Sequence, residues 1–310
     1  MSDLKHTLAC VALPFAVALA AAGPALAEPL IITETGHPVI HMTANDGDRY
    51  AMVVDTAAST TALFPRMRER LGLHEPNQTV TVQGASGGVE VGVYQLRSLK
   101  SDTVSATALN AVGLDTIKNL EAMDGILGVD VLRSGRVEFD SCNNRLQMLT
   151  AAWAPDQAWR TVAMSPIGPL YTLEVTLNGA PVTAVLDTGA RRTIVNRAAM
   201  RAAGVADNDP RLVAGVPVRG ASRTSTQSEM LDFDSFLIGD LPREAKGLTV
   251  SDLPVFAALG LTDKPAMILG FDRLRDLRFV ADFPGHRLLI LGDGSPGANA
   301  CTTGVQKPAA

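Results

Sequence analysis

The chain is poor in the residues that organise metals and disulfides. It holds three cysteines and five histidines in 310 residues. No CxxC pair and no HExxH occurs, so the usual spacings for a structural or catalytic zinc site are missing. An excess of positive charge is also lacking. Lys and Arg number 27 against 32 Asp and Glu, which leaves a net charge of −5. A nucleic-acid-binding protein needs a basic face, and this balance argues against that class of partner. Long apolar runs are scarce too. The one that stands out, Leu8 to Ala22, falls short of the roughly 20 residues of a membrane span. What is present, 46% hydrophobic and 19% charged, suffices for one or two packed cores and is too apolar for a disordered chain.

The apolar run has the form of an address. Lys5 and His6 precede it, and Gly23-Pro24-Ala25-Leu26-Ala27 follows it, just before Glu28. A charged start, an apolar middle and an Ala-x-Ala exit make a secretory signal. Residues 1–27 are therefore expected to be removed, and the mature protein to be exported, periplasmic or secreted, with no membrane attachment. Cys10 sits early in the run, the wrong end for a lipid anchor. Cleavage leaves Cys142 and Cys301, for which an oxidising compartment permits a disulfide. Two unpaired thiols are equally compatible with the sequence.

The remainder carries an internal repeat. Val53-Val54-Asp55-Thr56-Ala57-Ala58 returns as Val185-Leu186-Asp187-Thr188-Gly189-Ala190, an offset of 132. At the same offset Asp46-Gly47 matches Asn178-Gly179, and Gly72 matches Gly204. Gly84-Ala85-Ser86 returns as Gly220-Ala221-Ser222 at 136, and Ile126-Leu127-Gly128-Val129-Asp130 as Ile268-Leu269-Gly270-Phe271-Asp272 at 142. The slow growth of the offset is that of a duplication whose second copy has gained a few loop residues. Each copy predicts a hairpin turning at Asp46-Gly47 or Asn178-Gly179, with the second strand ending at the Asp. A short helix follows in each, bounded by Pro65 and Gly72 or by Asn196 and Gly204. The division expected is a first lobe over 28–153 and a second over 154–293. A Gly-, Pro- and Ala-rich tail over 294–310 is expected to be disordered. Asp130 and Asp272, each before a predicted short helix, are read as caps.

One Asp at a strand end is an ordinary turn former. Two in equivalent places of a duplicated chain can face each other across a pseudo-twofold axis. Paired carboxylates cannot both ionise cheaply, so they share a proton. One can then take a proton from water while the other polarises an amide carbonyl, which is hydrolysis without a covalent intermediate. Thr56 and Thr188 can hydrogen-bond across to the facing loop, and Gly189 lets the loops approach closely.

These residues resemble the aspartic proteases. Asp187-Thr188-Gly189-Ala190, followed after about 80 residues by Ile268-Leu269-Gly270, looks like the retropepsin unit. The resemblance implies a mainly β fold of two retropepsin- or pepsin-like lobes about a pseudo-twofold axis, each with short helices. It further implies Asp55 and Asp187 as the catalytic pair, with Thr56, Thr188 and Gly189 orienting it. Gly84, Ala85, Ser86, Gly87 and Gly88 fall where a flap covers substrate. No cofactor and no metal is called for. The expected partner is an extended polypeptide, the expected activity is endopeptidase, and a monomer is admissible.

Three features depart from that pattern or compete with it. Copy one has Ala57 where the family has Gly, which leaves room for a rival reading, a catalytically impaired protease fold that binds polypeptides without cutting them. Arg191 follows the second loop, where it could favour acidic substrate groups, although a salt bridge to Asp272 or another local carboxylate is the expected outcome. Gly84 to Gly88 also fits Gly-x-Ser-x-Gly, but a serine-hydrolase elbow must lead into a helix. The alternation in Val89 to Tyr94 predicts a strand instead.

Overall fold

Each half of the chain opens with a hairpin whose second strand runs into the Asp-Thr pair. Pro38–Ala44 pairs antiparallel with Arg49–Val54, and Leu170–Leu177 with Ala180–Asp187. The computed structural model describes residues 27–222 and 224–291. Residues 1–26 of the expected leader, the expected tail over 294–310 with Cys301, and Arg223 lie outside the described residues. In the second hairpin Asn178 and Gly179 take φ of 47° and 82°, the left-handed pair of a tight two-residue turn. The first hairpin corrects the expected Asp46-Gly47 turn. Asn45 and Asp46 hold positive φ there, and the Gly47 N–H donates to the Ala44 carbonyl at 2.9 Å, so the turn centres one residue earlier. Asn tolerates left-handed backbone, and the Arg97 N–H donates to Asn45 Oδ1 at 2.8 Å, holding it in place.

The Asp strand lies parallel to the Ile-Leu-Gly strand in both halves. Met52 to Val54 align with Gly125 to Leu127, and Thr183 to Asp187 with Ala266 to Gly270. A short strand, Ala62–Leu63 or Ile194–Val195, flanks the same strand from the other side. Strands paired on both sides inside a core read as continuous aliphatic runs, which is why Val53-Val54 and Ile126-Leu127 do not alternate. All four of these residues are buried. Short helices Pro65–Arg70 and Arg197–Ala202 follow. Proline starts the first, and the Asn196 side chain caps the second by accepting from the Ala199 N–H at 2.8 Å. Gly72 and Gly204, both at positive φ, end them.

The halves are fused through one sheet. Arg136–Asp140 of the first pairs antiparallel with Arg278–Asp282 of the second. The register is self-reciprocal: Arg136 faces Asp282 while Asp140 faces Arg278, each pair being the other's repeat equivalent. Arg136 Nε lies 3.2 Å from Asp282, and Arg278 Nε lies 3.7 Å from Asp140. Beneath them the rings of Phe139 and Phe279 stack at 4.7 Å. This is the pseudo-twofold axis in the backbone itself, and the protein is mainly β with four short α-helices among the described residues. Cys142, in the turn leaving the first of these strands, is disulfide-bonded, with its partner outside the described residues. Among the described residues no helix is long and apolar enough to cross a membrane.

Candidate active site

The axis that pairs the fusing strands also brings the two Asp-Thr loops together. Thr56 Oγ1 donates to the Leu186 carbonyl at 2.8 Å and accepts from the Thr188 N–H at 3.0 Å. Thr188 Oγ1 donates to the Val54 carbonyl at 2.7 Å and accepts from the Thr56 N–H at 3.1 Å. Both threonines are buried, so four hydrogen bonds free of water competition rivet one loop to the other. The reciprocal distances agree to within 0.1 Å.

Asp55 and Asp187 sit on top of this lattice, half-buried, with their carboxyl groups side by side and interacting. Asp55 Oδ1 accepts from the N–H groups of Ala57 (2.8 Å) and Ala58 (2.9 Å). Asp187 Oδ1 accepts from the Ala190 N–H at 2.8 Å. Burial raises Asp55 above the usual carboxylate range. It raises Asp187 well above that range, and the neighbouring Asp55 charge adds to the effect. Two acids this close titrate as a pair that retains one proton where ordinary aspartates have lost theirs.

Gly189 carries the close approach. A Cβ placed there would stand 2.2 Å from the Asp55 carboxyl carbon. Its repeat equivalent is Ala57, and the methyl is accommodated: the loop bonds on that side match those on the other.

The Gly84–Gly88 segment forms the tip of a hairpin. Strand Gln78–Gly84 pairs with Gly87–Lys100, turning through Ala85 and Ser86. Ser86 thus leads into a strand, and the context a serine-hydrolase elbow needs is absent. A second hairpin, Val218–Arg219 with Ser225–Thr226, reaches it from the other half. The Gly220 N–H donates to Ser86 Oγ at 3.0 Å, Ser86 and Ser222 share a hydrogen bond of 2.7 Å, and the Thr224 hydroxyl donates to the Ser86 carbonyl at 2.6 Å. The two tips are therefore locked to each other. Sequence reasoning matched Ser222 to Ser86 by position but did not foresee their contact.

A second reciprocal set of polar contacts braces each half. Thr61 Oγ1 donates to Asp130 at 2.8 Å and accepts from the Gly128 N–H at 3.2 Å. In the second half Thr193 Oγ1 donates to Asp272 at 2.8 Å and accepts from the Gly270 N–H at 3.1 Å. The expectation that Asp130 and Asp272 cap helices is corrected: neither short helix has a side-chain cap, and both carboxylates tie the Ile-Leu-Gly strand to the segment following the Asp-Thr loop. The repeat would have exposed this brace, since Thr61 and Thr193 stand at the same offset of 132 as the aspartates. The expected Arg191–Asp272 salt bridge is likewise not formed. Asp272 is engaged by Thr193 and, at 3.4 Å, by Arg273. His37 is buried against Thr35, and burial, with the Arg191 charge, lowers it to about 4. Among the described residues no three His, Cys, Asp or Glu side chains gather as a metal site would require.

Comparison with known proteins agrees with this geometry. A search of curated proteins finds no match. The family model described as aspartyl protease matches twice, over residues 40–131 and 173–272, and so covers more than half of the chain. Each matched segment contains one Asp-Thr loop and the Ile-Leu-Gly strand beside it. The chain therefore belongs to the retropepsin-like aspartyl proteases, with the family's unit present twice in one polypeptide.

Proposed function

We propose that the protein is an endopeptidase in which Asp55 and Asp187 together activate a water molecule against a peptide carbonyl. The observation that carries this reading is the juxtaposition of the two half-buried carboxyl groups on loops held together by the reciprocal Thr56 and Thr188 bonds. The member of the pair that is ionised takes a proton from water. The protonated member donates to the substrate carbonyl as the tetrahedral intermediate forms, and the proton then passes on to the leaving nitrogen. Three backbone N–H groups donate to the carboxyls, and the reciprocal Thr56–Thr188 bonds fix the loops that carry them, so the pair stays oriented without reorganisation during the step.

The locked tips at Ser86 and Ser222 must part to admit an extended chain and can close over it. The substrate is a polypeptide, bound through flap and backbone hydrogen bonds. The leader-like segment at residues 1–27 supports an exported, periplasmic or secreted, location for this activity. The rival reading, a binding protein disabled at Ala57, requires loops pushed apart on that side, and the matched loop bonds favour the enzyme instead. Digestion of a peptide library by the mature chain tests the proposal. Asp55→Asn and Asp187→Asn should each lower kcat/KM by about 10²- to 10⁴-fold or more, as loss of a general acid or base does. A variant cutting as fast as the parent would remove that aspartate from the mechanism.

A further inference from the structure

Against a chain of net negative charge, one pocket is strongly basic. It opens beside the second Asp-Thr loop, with a volume of about 310 Å³, and gathers Arg191, Arg192, Lys246, Arg273 and Arg275. Only two acids, Glu34 and Asp272, share its lining. Asp272 is already held by Thr193 and Arg273. Among the described residues no carboxylate pairs with Arg191, Arg192 or Arg275. Three guanidinium groups lining one cavity with no ion-pair partner repel one another, an arrangement that an incoming anion relieves.

The pocket follows the second Asp-Thr loop directly along the backbone. The Ala190 N–H donates to Asp187 and the Ala190 carbonyl accepts from the Phe271 N–H at 2.7 Å, so Arg191 follows directly on the residue that holds the Asp187 carboxyl. The opposite wall, Glu34 to Gly36, comes from the first half. The pocket therefore bridges the two halves as the cleavage site does. Arginine's planar fork suits a carboxylate, and the partial burial of Arg191 protects such a bond from solvent screening.

We propose that this pocket binds a carboxylate of the polypeptide substrate, and that Arg191 and Arg192 make the protease selective for chains presenting an acidic group at that end of the cleft. The proposal rests on the endopeptidase reading above. The carboxylate has two sources, an Asp or Glu side chain or the free C-terminus of the substrate.

Matched peptides separate them: Glu against Gln at each position from the scissile bond, and C-terminal acid against C-terminal amide. Binding is measured by fluorescence anisotropy on the Asp187→Asn protein, and kcat/KM on the parent. One acidic peptide should bind about ten- to a hundredfold tighter than its neutral mate, the range for a hydrogen bond to a charged group. That advantage should vanish in the background of Arg191→Gln with Arg192→Gln. Arg192 and Arg275 are exposed, so the pair Arg192→Gln and Arg275→Gln, which should reduce the advantage, serves if the Arg191 change impairs folding. Equal binding of acidic and neutral peptides, or a preference that survives loss of the arginines, overturns the proposal. Cleavage that needs both aspartates yet ignores substrate charge would remove the pocket and keep the endopeptidase. A charge preference in binding with no peptide cut would do the reverse.

Discussion

At the scale of single residues the decisive contrast is between Gly189 and Ala57. They occupy equivalent places in the two loops, yet only one is bound to be glycine. A Cβ at 189 would meet the Asp55 carboxyl at 2.2 Å, well inside any van der Waals contact, so the carboxyl would have to leave its place. Gly189→Ala should therefore abolish cleavage while leaving the fold detectable by circular dichroism. Ala57→Gly should retain activity, because the loops on that side already meet at unstrained distances. Peptide turnover by the two variants checks this, and an active Gly189→Ala enzyme would refute the close approach. The contrast was half legible. The motif marks Gly189 as needed and Ala57 as anomalous, but only the geometry says that the anomaly is harmless.

At the scale of elements, the Ile-Leu-Gly strand is placed by two forces. Parallel pairing with the Asp strand buries its aliphatic side chains, and the Thr–Asp brace fixes its exit. Thr61→Val and Thr193→Val keep the shape of the side chain but delete the hydroxyl that satisfies Asp130 or Asp272. Each should lower unfolding free energy by about 1–3 kcal/mol, the cost of leaving a buried acceptor short of a donor. Urea denaturation measures it, and an unchanged midpoint would show the brace to be idle. Local patterns had been readable here: the Asn178-Gly179 turn, the Pro65 helix start and the strand after Ser86 all follow from nearest neighbours. Asp130 and Asp272 were misread as caps for the opposite reason. A cap is a local guess, and their true partners lie 69 and 79 residues away. Arg191 was misjudged similarly, since Thr193 and Arg273 had already claimed the carboxylate it was expected to find.

At the scale of the whole molecule, duplication is the organising fact. The reciprocal register of Arg136–Asp140 with Arg278–Asp282 and the reciprocal threonine bonds obey one pseudo-twofold relation. That relation was legible because it is written as a repeat with a nearly constant offset. The contact between the Ser86 and Ser222 tips was not, because it depends on how far each hairpin leans. Only the axis makes neighbours of two acids 132 residues apart, and proximity within a buried site is what raises them. A raised acid keeps its proton when the unfolded chain has released it, so this site's contribution to stability falls as pH climbs past the ordinary value of 3.8. The most direct test is a carbon-13 NMR titration of the aspartate carboxyl groups, with Asp55 and Asp187 assigned by their loss in the Asn variants. The two should titrate as a coupled pair, one proton persisting at pH well above 3.8. Two independent transitions near that value would contradict a shared proton and, with it, the proposed mechanism.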